Sequence, residues 1–369
     1  MKKIMYFLPT LADGGAETLV KDYALLLKKD YEIVIVLAEK SKPCANLKVL
    51  KENSIKIKTL FFLNNSFALR IIKHFFDIPY FSRKLLKNIK KEKPDILHIH
   101  MALLKYVEPI CKKIPDVKLF YTCHSLPSKY FFGDNAGELI AAKRIAQNHP
   151  LFVIGLHDNM TVELKRILEI ETCYTVQNLV NYEVFNKKKA DKNKARAIIG
   201  AEENTFVIGT VGRICDVKNP FFTLEVFLEY LKINSDAKLV FVGNGYLEDE
   251  LKNRVVSLGL NEKVVFFSHR TDVELILQSF DAFIFPSKYE GLGISVIEAQ
   301  LAQVPVFVSA EVPEETCISN NYTILDLKFG PSYWAKQISS FVPKRWDLNN
   351  KFDASIVLKK LLKLYFERS

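Results

Sequence analysis

The sequence predicts an α/β chain made of two doubly wound parallel sheets in series, and three observations predict it. Short β-branched and aromatic runs alternate with helical periods along the whole chain, the pattern of parallel α/β layers. Runs such as FVIGTVG (206–212) are apolar without alternation, so both of their faces are buried. The alternation stops once, in the polar stretch NKKKADKNKARAIIGAEENT (186–205), and then restarts. At 369 residues the chain exceeds the usual single core. Its 49% hydrophobic and 25% charged composition is that of a folded globular protein and argues against disorder.

The elements follow in order. In a first domain, 1–182, strands are expected at 3–9, 32–38, 55–61, 95–100, 118–124, 151–156 and 173–180, with helices including 16–29 and 103–113. In a second domain, 183–369, strands are expected at 206–213, 238–245, 263–269, 281–287, 304–309 and 322–327. The basic, amphipathic segment 354–367 reads as a closing helix, free to pack back on the first domain.

Several classes are excluded. Lys2 and Lys3 before an apolar run imitate a secretory leader, but Pro9 interrupts that run and no small-residue cleavage site follows. No run approaches the ~18 apolar residues of a membrane span. Cys44, Cys111, Cys123, Cys173, Cys215 and Cys317 form no C-x-x-C pair, so they read as buried free thiols in a reducing compartment, and a cytoplasmic location is expected. The net charge is +10, and the first 182 residues hold 28 of the 52 basic and 18 of the 42 acidic residues. The whole excess therefore lies in the first domain, and the two halves are expected to meet different partners. Nucleic acid is not among those expected, because no recognition motif or aromatic–basic platform accompanies the charge.

In open α/β sheets ligands sit beyond the carboxyl ends of the strands, and the unusual residues fall there. Gly14 and Gly15 follow the first strand, either as a tight turn or as bare backbone open to a phosphate. Arg213 and Lys218 flank a turn just before a helix opened by Asn219 and Pro220, either as solvated charges or as cations for a departing diphosphate. Glu290 and Glu298 lie in PSKYEGLGISVIEAQ, the first expected at a strand end or helix entry and the second about two turns deeper on a similar face. Gly291 and Gly293 expose amides suited to phosphate oxygens. A carboxylate accepts hydrogen bonds from paired sugar hydroxyls, and Glu298 stands in the apolar run SVIEA, where an unpaired charge is costly. His124 ends the strand 118–124, either as a loop histidine or as a contact to a reacting sugar. His98 and His100 alternate in DILHIH and face one side. No further ligands for a metal accompany them. There is also no Asp-x-Asp to hold a divalent metal on a diphosphate, so no metal and no other cofactor are expected.

Taken in order, GGAE, VGR…KN, VGNG and FPSKYEGLGISVIEAQ resemble family 4 glycosyltransferases of the GT-B fold, in which two Rossmann-like domains face a cleft. The likeness is strongest to EpsF-like enzymes of capsular and extracellular polysaccharide assembly, and runs from residue 1 to about 327. The resemblance implies an acceptor-side first domain and a donor-binding second one. It implies that Glu298 binds the ribose of a nucleotide sugar and that Glu290 sits by the donor sugar. Gly291, Leu292, Gly293 and Ile294 would offer amides to the diphosphate. Arg213 and Lys218 would hold it, with Gly14 and Gly15 closing over it. Asn244 and Arg270 join the donor-binding set, and His124 matches the histidine near the anomeric carbon. Such enzymes retain anomeric configuration, and the leaving phosphate is thought to help deprotonate the acceptor. Asn178-Leu179 departs from the Asn-Gly of many relatives before the linker.

The expected activity is hexosyl transfer from a UDP-sugar to a glycan within capsule, exopolysaccharide or lipopolysaccharide synthesis. The basic character of the acceptor half makes a lipid-linked glycan the expected acceptor. Alternatives are a nucleotide-sugar 2-epimerase of the same fold and a non-catalytic sugar-nucleotide-binding protein. Segment 68–93 is both apolar and cationic. With Ile71, Ile72, Phe75 and Phe76 on one face and Phe81, Leu85 and Leu86 beyond Pro79, it reads either as a helix docking on an anionic membrane or as one packed on the sheet.

Overall fold

The computed structural model describes residues 1–12, 14–61, 76–133, 135–187, 192–268, 270 and 272–367. The chain divides into two compact units. The first is Met1–Leu179 together with the chain from Val357 onward, and the second is Val180–Ile356.

The first unit is a seven-stranded parallel sheet in the order β3-β2-β1-β4-β5-β6-β7. Its strands are β1 Lys3–Leu8, β2 Glu32–Glu39, β3 Lys56–Phe61, β4 Ile96–His100, β5 Lys118–Thr122, β6 Leu151–Gly155 and β7 Cys173–Thr175. From Ile4 to Leu8 the first strand is wholly buried, as a central strand of a covered sheet must be. The strand order reverses between β1 and β4, where Tyr6 pairs in register with His98. The helix Gly15–Leu27 follows β1 and turns Leu19, Val20, Tyr23, Ala24 and Leu27 inward, one stripe at helical spacing.

The second unit is a six-stranded parallel sheet in the order β10-β9-β8-β11-β12-β13. Its strands are β8 Phe206–Val211, β9 Ala237–Val242, β10 Val264–Phe267, β11 Ala282–Phe285, β12 Val306–Ser309 and β13 Tyr322–Leu325. The helix Pro220–Leu231 covers one face with the helix Gly330–Ser340, where Phe222 meets Trp334 edge-on at 5.4 Å. The charge-dense stretch before β8 is anchored. Arg196 is 5% exposed, pairs with Asp281 at 2.6 Å and donates to the carbonyls of Glu202, Glu203 and Thr205.

Two expectations are corrected, and two more segments are placed. The segment 103–113 is not one α-helix: a single turn, Leu104–Val107, gives way to a 3-10 helix Glu108–Lys113, since Pro109 supplies no N–H for an α-helical bond. The expected strand 173–180 stops at Thr175. Of segment 68–93, Ile71, Ile72 and Phe75 lie outside the described residues, and the helix Asp77–Glu92 turns Phe81 and Leu85 into the core. Its outward face is cationic, and Phe76 and Ile78 at its start are exposed. The closing helix Ala354–Phe366 is where expected, and from Val357 it counts with the first unit, one of the placements open to it.

Candidate functional site

The strand order of the second unit reverses between β8 and β11, so the loops leaving these two strands diverge and open a crevice at their carboxyl ends. Lys218 comes from the first loop and Glu290 from the second, and the two side chains form an ion pair. They are 21% and 10% exposed, so the pair is partly shielded from water. Lys218 Nζ also stands 4.3 Å from the centroid of the Phe285 ring, at the end of β11, an arrangement that favours a cation over the ring face. The loops are clamped together: Lys288 N donates to the Val217 carbonyl at 2.8 Å, and Lys288 Nζ meets Asp216 at 2.6 Å. Arg213 is exposed on the first loop and lines a small cavity with Lys218, Gly212 and Thr223.

Backbone conformation follows residue type. Asn219, at φ 54, caps the helix Pro220–Leu231 from the left-handed region that asparagine tolerates better than most residues. Gly293, at φ 91, does the same for the helix Ile294–Leu301, where only glycine avoids strain. The amides of Gly291, Leu292, Gly293 and Ile294 have no hydrogen-bond partner among the described residues. Four unsatisfied donors at a loop-to-helix junction favour an anion.

The relation expected between the two glutamates is corrected. Glu290 lies in the loop between β11 and the helix Ile294–Leu301, whereas Glu298 is half-buried about one turn into that helix. Spacing by eight therefore places them on no common helical face. The two glycines of VGNG have a packing role. A Cβ on Gly243 would fall 2.1 Å from the Gly212 carbonyl oxygen, and one on Gly245 would fall 2.1 Å from that of Ile214. These glycines let the loop after β9 press against the loop after β8. Asn244 contributes its carbonyl to Ile214 N at 2.9 Å. Arg270 is held by both oxygens of Asp272, at 2.8 and 2.7 Å, and its guanidinium stands 5.2 Å from the Phe267 ring centroid.

In the first unit, Gly14 caps the helix Gly15–Leu27, and a Cβ there would fall 2.6 Å from Glu17 Oε2. A buried carboxylate thus already faces that helix start, as the dipole favours. Two histidines of β4 and one just past β5 form a group of three. His98 and His100 are fully buried, with ring centroids 4.2 Å apart. His98 bonds Thr122 Oγ1 at 2.7 Å through Nε2 and the Tyr365 hydroxyl through Nδ1. His100 Nδ1 lies 2.9 Å from His124 Nε2. Burial lowers all three: His98 to about 3, His124 to about 4 and His100 well below its ordinary value. They are neutral at physiological pH. Among the described residues no three His, Cys, Asp or Glu side chains gather to hold a metal ion.

Two family models match this chain, Glycosyltransferase Family 4 over residues 13–160 and Glycosyl transferases group 1 over residues 191–353. The chain belongs to glycosyltransferase family 4. It is 27% identical over 249 residues to an Escherichia coli UDP-Gal:alpha-D-GlcNAc-diphosphoundecaprenol alpha-1,3-galactosyltransferase, a match spanning 64% of this chain and 63% of that enzyme. It is 24% identical over 347 residues to the putative glycosyltransferase EpsF of Bacillus subtilis, covering 92% of this chain and 87% of EpsF. The solved structure of Anabaena HepE with UDP and glucose superposes with a TM-score of 0.80 over all of both chains at 16% identity, a likeness of fold. The GT-B fold of this family 4 glycosyltransferase thus accounts for its two parallel sheets.

Sequence reasoning missed three contributors. Phe285, inside the expected strand 281–287, and Asp272 were not singled out by the sequence. His100 was not joined to His124, because their pairing links the ends of neighbouring strands. The one available signal was a histidine at each strand end, His100 closing β4 and His124 two residues past Thr122, the β5 residue in register with His100.

Proposed function

We propose that the chain is a retaining hexosyltransferase that takes its sugar from a UDP-sugar and passes it to a lipid-linked glycan in bacterial cell-surface polysaccharide synthesis. The Lys218–Glu290 pair at the switch point of the second unit carries the reading. Lys218 and Arg213 neutralise the diphosphate, and the amides from Gly291 to Ile294 hold its oxygens. Glu290 and Glu298 accept hydrogen bonds from sugar and ribose hydroxyls. In the reaction the bond from the anomeric carbon to the phosphate oxygen breaks and a bond to the acceptor oxygen forms on the same face. The acceptor proton passes to the departing phosphate, so no separate base is required. His124 contacts the reacting sugar, and Gly14 and Gly15 belong to the acceptor-side unit.

UDP and glucose in the HepE structure and a diphosphoundecaprenol acceptor in the name of the Escherichia coli relative support these choices of donor and acceptor. No described helix is long and apolar enough to cross a membrane. In this reading the exposed Arg83, Lys84, Lys87, Lys90 and Lys91 of the helix Asp77–Glu92 meet the anionic leaflet that carries the acceptor. Flotation with phosphatidylglycerol vesicles but not with neutral ones supports docking; equal behaviour removes it.

The deciding experiment is thermal stabilisation across UDP-, GDP-, ADP-, dTDP- and CMP-sugars, followed by UDP release with and without a polyprenyl-diphosphate glycan. Ligand at 100 times its dissociation constant stabilises by about 2.7 kcal/mol. A shift with UDP-sugars and acceptor-dependent UDP release support transfer. Sugar interconversion by donor alone assigns an epimerase instead, and binding without UDP release assigns a sensor.

A further inference from the structure

The contact between His100 and His124 poses a question of proton placement. Each ring is neutral, so each carries one N–H, and the 2.9 Å contact between His100 Nδ1 and His124 Nε2 requires one donor and one acceptor. Two arrangements satisfy it. In one, His124 donates from Nε2, and His100 must then carry its own proton on Nε2. In the other, His100 donates from Nδ1 and keeps a lone pair on Nε2.

The surroundings of His100 separate the two. Its side chain is fully buried, and no described group bonds its Nε2. The first arrangement buries an N–H with no acceptor, and orphaned buried N–H groups are rarer than under-satisfied acceptors. The second buries only a lone pair. The neighbouring ring cannot reverse this choice. Both nitrogens of His98 are already engaged, by Thr122 and by Tyr365 of the closing helix, and Tyr6 lies against both rings, with centroids 5.8 Å from His98 and 5.9 Å from His100.

We propose that His100 is a positioning residue for His124, donating its Nδ1–H to His124 Nε2 so that His124 offers its own Nδ1–H to a sugar oxygen. The inference rests on the reading of His124 as a sugar contact. Its consequence is specific. In this tautomer the lone pair of His124 is occupied by His100, so His124 acts as a hydrogen-bond donor and is unavailable as a proton-abstracting base. A donor there orients the sugar against the departing phosphate, a positioning contact that lowers the barrier through geometry, and it leaves the acceptor proton to the phosphate.

The test uses the full chain labelled with 15N-histidine, without ligand, and assigns His124 by the resonances lost in His124→Ala. The expected result is a protonated Nδ1 and an unprotonated Nε2 on His124. His100→Leu frees His124 Nε2, moves the His124 proton to that nitrogen, and lowers kcat tenfold or more with little change in donor KM. His100→Asn, which keeps an amide N–H near the Nδ1 position, recovers most of the rate. Wild-type His124 protonated on Nε2 overturns the proposal, as does a folded His100→Leu variant with wild-type kcat. If His100→Leu fails to fold, the wild-type spectrum still decides. Wild type without turnover on any donor overturns the glycosyl-transfer reading alone, because the tautomer is read without substrate.

Discussion

His98 and Tyr365 are hydrogen-bonded to each other across 267 residues of chain, and both are fully buried. The bond joins the middle of β4 to the closing helix, so the last turns of the chain complete the core of the first unit. Tyr365 also meets the Phe120 ring at 4.8 Å, and its neighbour Phe366 stacks on Tyr31 at 5.2 Å. Removing the Tyr365 hydroxyl leaves His98 Nδ1 buried without its partner. Tyr365→Phe should therefore cost about 1–3 kcal/mol, read as a fall in the denaturant midpoint with an unchanged m-value. A wild-type midpoint would show that the bond contributes nothing net.

Lys218 should matter more for turnover than for binding, because the charge it neutralises grows as the diphosphate departs. Lys218→Ala is expected to lower kcat by about 10²–10³-fold, with a much smaller effect on donor affinity. Steady-state kinetics beside calorimetric titration of the same variant separate the two effects.

Glu298 is expected to act on binding. Glu298→Ala should raise the donor dissociation constant about ten- to hundredfold, the worth of a charge-assisted hydrogen bond. Unaltered calorimetric affinity in a folded variant would remove Glu298 from the donor site.

Gly243 and Gly245 are held to glycine by neighbouring backbone, which cannot retreat as a side chain can. Alanine at either position should destabilise the second unit by about 1–3 kcal/mol or more through overpacking. At Gly137, in the helix Ala136–Asn148, an added Cβ would meet nothing within 4 Å, so Gly137→Ala should be neutral or stabilising by up to about 1 kcal/mol. Melting temperatures of the three variants test the contrast.

Glu92 gives the first unit an acid-sensitive site. Burial alone would raise its carboxyl, but hydrogen bonds from Lys56 and Lys58 outweigh that and bring it down to about 2. Lys3 approaches it as well, at 3.5 Å. Since the folded value lies below the ordinary 4.5, the stabilisation is complete above that ordinary value and is lost as pH falls toward about 2. Glu92→Gln should flatten the dependence of stability on pH in this window while lowering stability at neutral pH. Urea unfolding from pH 2 to 7 provides the check.

The repeated βα order is legible in the chain before any folding is known, because the apolar strand runs and their spacing are local features. Each of the thirteen described strands lies within or beside the run expected for it. The two units divide between Leu179 and Val180, where the linker argument placed the boundary at 182/183. The residue types at strand ends, such as Lys218, Glu290 and His124, are likewise readable, since ligand-facing ends of parallel strands are fixed by the fold class. Which of these groups meet is a matter of tertiary structure. Lys218 and Glu290 are separated by 72 residues, and their pairing depends on β8 and β11 becoming neighbours in the sheet. Spacing of eight placed Glu290 and Glu298 on one face only so long as the intervening chain was helical, and Gly293 ends that by taking a left-handed conformation. The bond from Tyr365 to His98 and the contact of His100 with His124 were equally beyond local reading. Burial and hydrogen-bond partnership belong to pairs of distant segments, and no window of sequence contains both members.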